Sequence, residues 1–413
     1  MTTHSSSASA SASAAWQPRM WALLLVLAGN MLIDALEVSV VLVALPAIAA
    51  DLGLSMWTVQ WVMGGFALGF AATLLLGPRI TARWGRRRVY LAALLVFAAA
   101  SVAGGLTDSA ALLIATRFVK GVCAALTAPA GLAIISTAFP DGPPQRRAVS
   151  VYALFGGIGF TTGLLLSGIL TGADWHLVFL FPAPVALLLF AMGARLVPPD
   201  PGRPEAHRLR PALLAERTLL RSALGAATLN GSYLGLLLLL SFQLQQRPGW
   251  GPLQTALAFL PACLPVAVTA PFAGRMVARF GTARPIALGA LAPAAGYLLL
   301  LRDPEPGTYL TGVLPTLLLV GAGFVFAFAP LNMQATSGLP AGSRAQAVPL
   351  YQTGVQLGAV LTLSQVALLL GDDGDAYRPA LVLITAVGAA GLLVALTGLR
   401  KGSRGSGPGR ATT

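Results

Sequence analysis

Asp34, Glu37, Arg117 and Lys120 stand out because each interrupts an apolar run that is otherwise free of charge. Asp34 and Glu37 are three residues apart, as are Arg117 and Lys120, so each pair shares one face of a helix. A carboxylate's hold on a proton depends on its burial and on the distance of a nearby cation. Two acids and two bases in one place are therefore a proton-binding group with a partner that can move. The bland alternative is a closed, charge-neutral network that only orients two helices. Glu37 is the first choice for the titrating acid and Asp34 the second. Other chemistry is poorly served. Gly157-Ile-Gly159-Phe-Thr-Thr-Gly163 has the wrong spacing for a dinucleotide loop and reads as close helix packing through small residues. The chain has no phosphate-binding loop of the Gly-x4-Gly-Lys-Ser/Thr type, and His4, His176 and His207 are too scattered for a metal or catalytic cluster. Cys123 and Cys263 are too few for a disulfide framework. The reading is of no enzyme, no cofactor and no metal.

Elements able to hold charges this way must cross a bilayer. Hydrophobic residues make up 56% of the 413-residue chain and charged ones 10%, too few to solvate a soluble surface of this size. With about 20 apolar residues needed per crossing, spans fall at 21–49, 58–78, 89–105, 110–139, 147–172, 176–197, 219–246, 252–279, 283–301, 308–336, 345–371 and 378–399. The gaps between them alternate in charge. The basic gaps hold Arg19, then Arg79, Arg83, Arg86, Arg87 and Arg88, and so on to Arg400, Lys401, Arg404 and Arg410. The others hold Arg247, Arg302 and Arg378 against eight acids: Asp51, Asp108, Asp174, Asp303, Glu305, Asp372, Asp373 and Asp375. Positive charge stays on the cytoplasmic side during insertion, so both termini are expected inside. The net charge of +13 then faces anionic lipid headgroups rather than nucleic acid. Counted from the span ends at 1.5 Å per residue, Glu37 lies ~24 Å, Asp34 ~20 Å, Arg117 ~20 Å and Lys120 ~15 Å above the basic side. The four share one band of the membrane, without a choice of partners.

The longest polar gap divides the chain. Expected are a disordered tail over 1–20, a six-helix bundle over 21–197, a cytoplasmic linker over 198–218, a second bundle over 219–399 and a basic tail over 400–413. An internal repeat supports the division. Arg79/Arg275, Ala82/Ala278, Arg83/Arg279, Gly85/Gly281 and Arg88/Arg284 pair at one offset of 196 residues. Two parallel repeats around a central pathway are a transporter architecture. The second half has no charge deep within a span. It offers Asn230, Tyr233, Asn332, Gln334, Gln352, Gln356 and Gln365 among Phe and Leu, a lining suited to an amphipathic organic molecule.

The paired loops at Arg83-Trp-Gly85-Arg86 and Arg279-Phe-Gly281 resemble the signature loop of the major facilitator superfamily. Leu36-Glu37-Val-Ser39 with Ala44-Leu45-Pro46 resembles the first-helix motif of its drug:proton antiporters, and Arg117-Phe-Val-Lys120-Gly121 the Arg-x-x-Gln-Gly motif of the fourth helix. Gly159-Phe-Thr-Thr-Gly163 is similar to the glycine-rich motif of the fifth. The resemblance implies an all-α polytopic membrane protein, with twelve transmembrane helices in two pseudo-symmetric six-helix bundles. It further implies gating by Arg83, Gly85, Arg86, Arg279, Gly281, Gly159 and Gly163. Helices 1 and 4 would line a central cavity, and a monomer would export an amphipathic drug or metabolite against protons. The chain departs from the family at Ala82 and Ala278, where the loop acid that latches the halves is missing, and at Leu164 and Val355. Those losses keep two alternatives open: a facilitator or importer without strict coupling, and a transporter-derived protein with a biosynthetic or sensory role.

Overall fold

A computed structural model describes residues 17–200, 211–371 and 376–402. The expectations for 1–16, His4, His207, Arg203, Arg208, Arg210, Asp372, Asp373, Asp375, Arg404 and Arg410 lie outside the described residues. The first half comprises α1 (Pro18–Ser39), α2 (Leu45–Leu52), α3 (Met56–Leu74), α4 (Gly77–Trp84), α5 (Arg86–Gly105), α6 (Ala110–Ala138), α7 (Pro143–Ala173), α8 (His176–Leu180) and α9 (Pro182–Leu196). The second comprises α10 (Arg217–Gln245), α11 (Pro252–Thr269), α12 (Ala273–Phe280), α13 (Ala283–Arg302), α14 (Leu314–Thr336), α15 (Ala341–Leu370) and α16 (Tyr377–Gly402). Among the described residues, eleven helices or joined pairs are long and apolar enough to cross a membrane, and α3 with α4 makes the twelfth.

Several spans are shorter or more broken than their apolar runs suggest. α3 stops at Leu74 and α4 leaves it at 61°, so the second crossing is not continuous to residue 78. Pro78 opens α4, where its missing N–H costs nothing. Likewise the run 252–279 is not one span: α11 ends at Thr269 and a 3₁₀ turn over Ala270–Phe272 leads into α12. The first run, 21–49, divides into α1 and α2 around a turn at Val40–Ala44. Within the expected linker, α10 starts at Arg217, and α16 continues past residue 399 to Gly402. Hydropathy cannot register such breaks, because the turn residues are as apolar as the helices they separate.

The repeat extends to the backbone. Gly53 and Gly249, and Gly85 and Gly281, all have positive φ and stand 196 residues apart in pairs. Gly85 has a second constraint, since a Cβ there would lie 2.7 Å from Asp200 Oδ2. That carboxylate accepts from the Arg87 N–H at 3.3 Å, beside the free N–H groups at the start of α5.

Three apolar clusters describe how the halves meet. One includes Val40–Ile48, Met56–Met63, Leu234–Leu244, Ala256–Cys263 and Ala359–Leu370, and so is built by both halves at the end away from the arginines. The other two lie toward the arginine-bearing end. One belongs to the first half alone, around Leu24, Tyr90 and Ile135; the other to the second half, around Leu219, Ile286 and Tyr351. Two hydrogen bonds join the halves at the shared end: Ser241 Oγ donates to the Leu42 carbonyl at 2.7 Å and Gln245 Nε2 to that of Val43 at 3.0 Å. The halves thus share one apolar cluster at one end and keep separate clusters toward the other, where α7 still meets the 3₁₀ turn before α12. α3 meets α15 and α7 meets α11 along the junction.

Candidate functional site

α1 and α6 run antiparallel, so moving up one helix means moving back along the other. Glu37 therefore meets Arg117 and Lys120, while Asp34, one turn lower, meets Thr127. Arg117 Nη1 is paired with Glu37 Oε2, and its Nη2 donates to the Glu37 carbonyl at 2.8 Å. Its Nε donates to the Val62 carbonyl on α3, also at 2.8 Å. Lys120 Nζ lies 2.6 Å from Glu37 Oε1. All three residues are 0% exposed, which seals the triad from water in this conformation. The two cations also lie over aromatic rings, Arg117 4.9 Å from the centre of Phe66 and Lys120 4.9 Å from that of Phe97.

Asp34 is separate, and among the described residues no cation pairs with it. Its Oδ2 accepts from Asn30 Nδ2 at 2.9 Å and Thr127 Oγ1 at 3.0 Å. Both acids face the interior of the first six-helix bundle, so the charged faces of α1 and α6 turn toward α3, α5 and α9. Asn30 and Thr127 carry no charge, and nothing in the sequence sets them apart from ordinary span residues.

The glycines of α7 explain how α1 is held. A Cβ at Gly159 would lie 2.4 Å from the Leu32 carbonyl, and one at Gly163 2.2 Å from Ser39 Oγ. This close crossing lets Ser39 Oγ donate to the Phe160 carbonyl at 2.7 Å. The Phe160 ring packs 6.0 Å from Tyr233 on α10, Tyr233 packs 4.3 Å from Phe324, and Phe324 stacks 5.4 Å from Phe328, both on α14. An aromatic row thus crosses from one half to the other, joined through Ser39 to the helix turn that carries Glu37. Phe160, Phe324 and Phe328 escaped the sequence reading because phenylalanine within a span also suits a lipid-facing position.

The polar residues of the second half divide. Tyr233 lies in the aromatic row. Asn230 Nδ2 reaches the Val355 carbonyl at 3.5 Å, and Asn332, Gln352 and Gln356 are half-buried. Gln334 turns into its own bundle instead, accepting from Ser222 Oγ at 3.1 Å and donating to Thr282 Oγ1 at 3.3 Å. Arg83 and Arg279 are exposed, and Arg86 Nη1 donates to the Ala133 carbonyl on α6 at 3.1 Å. α4 packs on α3 and α5, and α12 on α13 and α14, each within its own half.

Comparison with known proteins agrees with this architecture. The sequence profile described as Major Facilitator Superfamily matches residues 27–363. The puromycin resistance protein pur8 of Streptomyces alboniger is 31% identical over 405 residues, 83% of this chain and 80% of that one. The cephamycin export protein CmcT of Amycolatopsis lactamdurans is 37% identical over 169 residues, 41% of this chain and 35% of that one. Among solved structures, a bacterial homolog of the human lysosomal transporter Spinster superposes with a TM-score of 0.74 at 18% identity, covering 94% of this chain and 98% of that one. The nucleoside transporter NupG gives 0.71 at 13%, covering 92% and 99%. Motif residues, repeat and profile converge: this chain belongs to the major facilitator superfamily and is a multi-pass membrane transporter.

Proposed function

We propose that the protein exports an amphipathic organic molecule in exchange for protons by alternating access, from a bacterial plasma membrane with both termini in the cytoplasm. The observation that carries this reading is the path from Glu37 through Ser39 and Phe160 to Tyr233. It ties an ion triad in one half to an aromatic wall between the halves. Glu37 is held here by two cations, the arrangement of its ionised form. A shift of α1 against α6 that parts either contact lets the carboxylate take a proton, and the same shift moves Phe160 against Tyr233. Proton and substrate are then exchanged by one displacement. An apolar, aromatic lining with sparse amides from Asn230, Asn332, Gln352 and Gln356 suits the antibiotics for which the relatives are named.

Proteoliposomes with an imposed pH gradient test the proposal, with puromycin as the first probe. Uphill accumulation that reverses when the gradient is reversed is the expected result. Flux that only equilibrates, whatever the gradient, would leave a facilitator instead.

Sidedness rests on the arginine distribution, with the arginine-bearing end inside. In intact cells an impermeant maleimide is expected to label Asp108→Cys and spare Arg83→Cys, two exposed positions at opposite ends. The reverse pattern would invert the topology.

The hydrogen bonds to Leu42 and Val43 stabilise this state over its alternate. Each is worth about 0.5–1.5 kcal/mol net, so Ser241→Ala with Gln245→Ala should shift the balance toward the opposite state by roughly 5- to 150-fold. Spin-label distances across the arginine-bearing end are expected to shorten. Unchanged distances would mean that the apolar cluster alone sets the balance.

A further inference from the structure

The two repeats equip equivalent loops differently. Gly85 and Gly281 follow α4 and α12, both with positive φ. Around them lie Arg79, Arg83, Arg86, Arg87 and Arg88 in one half and Arg275, Arg279 and Arg284 in the other, and neither segment has an acid of its own. A Cβ at Gly281 would meet nothing within 4 Å, whereas one at Gly85 would lie 2.7 Å from Asp200 Oδ2. That carboxylate comes from the chain just beyond α9, where the connection between the halves begins; at the 196-residue offset the second half has Leu396 instead. Asp200 is half-buried and accepts from the Arg87 N–H at 3.3 Å, and Arg87 Nη2 in turn donates to the Ala194 carbonyl on α9 at 2.6 Å. The start of α5, the end of α9 and the start of the connection are thus tied at one point. Among the described residues no arginine or lysine side chain pairs with Asp200, so its charge acts on the helix start and on the loop as a whole. Two other described carboxylates at this end serve their own turns: Asp141 accepts from Gln145 Nε2 at 3.2 Å and Glu216 from the Thr218 N–H at 3.4 Å.

We propose that Asp200 is a gating residue: contributed by the connection between the halves, it gives the first-half loop the negative charge that loop lacks. It thereby favours the state in which the arginine-bearing end is drawn together. Bringing the α4 and α12 segments nearer sets like charges against each other, and a carboxylate lodged in one of them lowers that cost. A group can shift a two-state equilibrium only by interacting differently with the two states. Here the difference is the distance from Asp200 to the arginines of α12, which shortens as that end closes. The second-half loop has no such group, so the bias is carried by one half alone. The inference rests on the alternating-access reading, and its test keeps the two apart.

Spin labels at Thr137→Cys and Met333→Cys, exposed, uncharged and equivalent positions on α6 and α14, report that end in full-length protein in proteoliposomes. Two distance populations in the labelled, otherwise unaltered protein are the mark of alternating access. Asp200→Asn keeps an oxygen for the Arg87 N–H but removes the charge. It should lower the ratio of the short-distance to the long-distance population by roughly two- to fivefold, the effect of one unit charge at about 4–10 Å in water. Asp200→Glu should hold the parent ratio. Ala82→Asp added to Asp200→Asn should restore it, by placing a carboxylate on the last turn of α4. That restoration separates charge from a folding defect, which an acid at another position would not repair. Asp141→Asn should leave the ratio unchanged. A ratio unmoved by Asp200→Asn, moved equally by Asp141→Asn, or not restored by Ala82→Asp would overturn the proposal and leave alternating access standing. A single distance population in every variant would overturn alternating access, and the proposal with it.

Discussion

Glu37→Gln is expected to reduce proton-driven efflux to the background of empty vesicles while substrate binding stays measurable. Glutamine keeps the size and hydrogen-bonding capacity of glutamate but cannot ionise, so the substitution removes titration with little change in packing. It also leaves Arg117 and Lys120, both 0% exposed, without their shared anion. Removing one partner of a buried pair costs ~3–5 kcal/mol in comparable cases. Expression and thermal unfolding must therefore accompany the flux measurement. Asp34→Asn preserves a side chain that can still bond Thr127, and it strands no cation, so a smaller effect on both flux and stability is expected. Full coupled flux in Glu37→Gln with loss in Asp34→Asn would exchange the roles of the two acids. Full flux in both variants would reduce the charges to a structural network.

Gly121→Val should unfold the first half or markedly lower its thermal midpoint. A Cβ at Gly121 would lie 2.1 Å from the Phe66 carbonyl oxygen and 2.9 Å from the Phe70 nitrogen. The contact is reciprocal, since a Cβ at Gly69 would lie 2.1 Å from the Phe118 carbonyl oxygen. These obstacles are backbone atoms, which cannot rotate aside. Overpacking usually costs ~1–3 kcal/mol, and valine's two further methyls at a backbone contact put it at or above the upper end. Gly172→Ala is the control, because a Cβ there meets nothing within 4 Å. Its helix should gain up to about 1 kcal/mol. A wild-type midpoint for Gly121→Val, measured by fluorescence in detergent, would show that the helices need not approach so closely. The crossing also explains why this glycine follows Arg117 by four residues. Close approach of α3 and α6 is what brings the Arg117 Nε within hydrogen-bonding distance of the Val62 carbonyl.

Charge was the most readable property of this sequence. Arginines and acids in alternating gaps located the crossings, and the matched loops around Arg83 and Arg279 located the two halves. The four intramembrane charges could be assigned to one depth band but not to partners. Span ends were uncertain by about a helical turn, which is the distance between Asp34 and Glu37. The structure resolves this through helix direction: Arg117 and Lys120 both reach Glu37, and the neutral Thr127 is left for Asp34. Neutral partners escape any reading based on charge. So do the turns at Val40–Ala44 and Ala270–Phe272, which are built of residues as apolar as the helices beside them. Gln334 marks the other limit. Periodicity places a glutamine on a helix face, but its tie to Ser222 and Thr282 is set by how three helices assemble.

Ala82 and Ala278 have a consequence beyond the missing latch. α4 and α12 each carry arginines and no acid, at the end where the halves keep separate apolar clusters. Drawing that end closed brings together surfaces of like sign, and the work required depends on ionic screening. The Debye length is about 30 Å at 0.01 M salt and about 8 Å at 0.15 M. A chain with acids at both positions would carry its neutralising charge covalently, fixed in number and place. Here α4 and α12 carry no such charge of their own, and beyond Asp200 beside Gly85 the balance comes from dissolved ions and the membrane surface. Closure of that end, as proposed, is thereby more sensitive to ionic strength than in a self-neutralised protein.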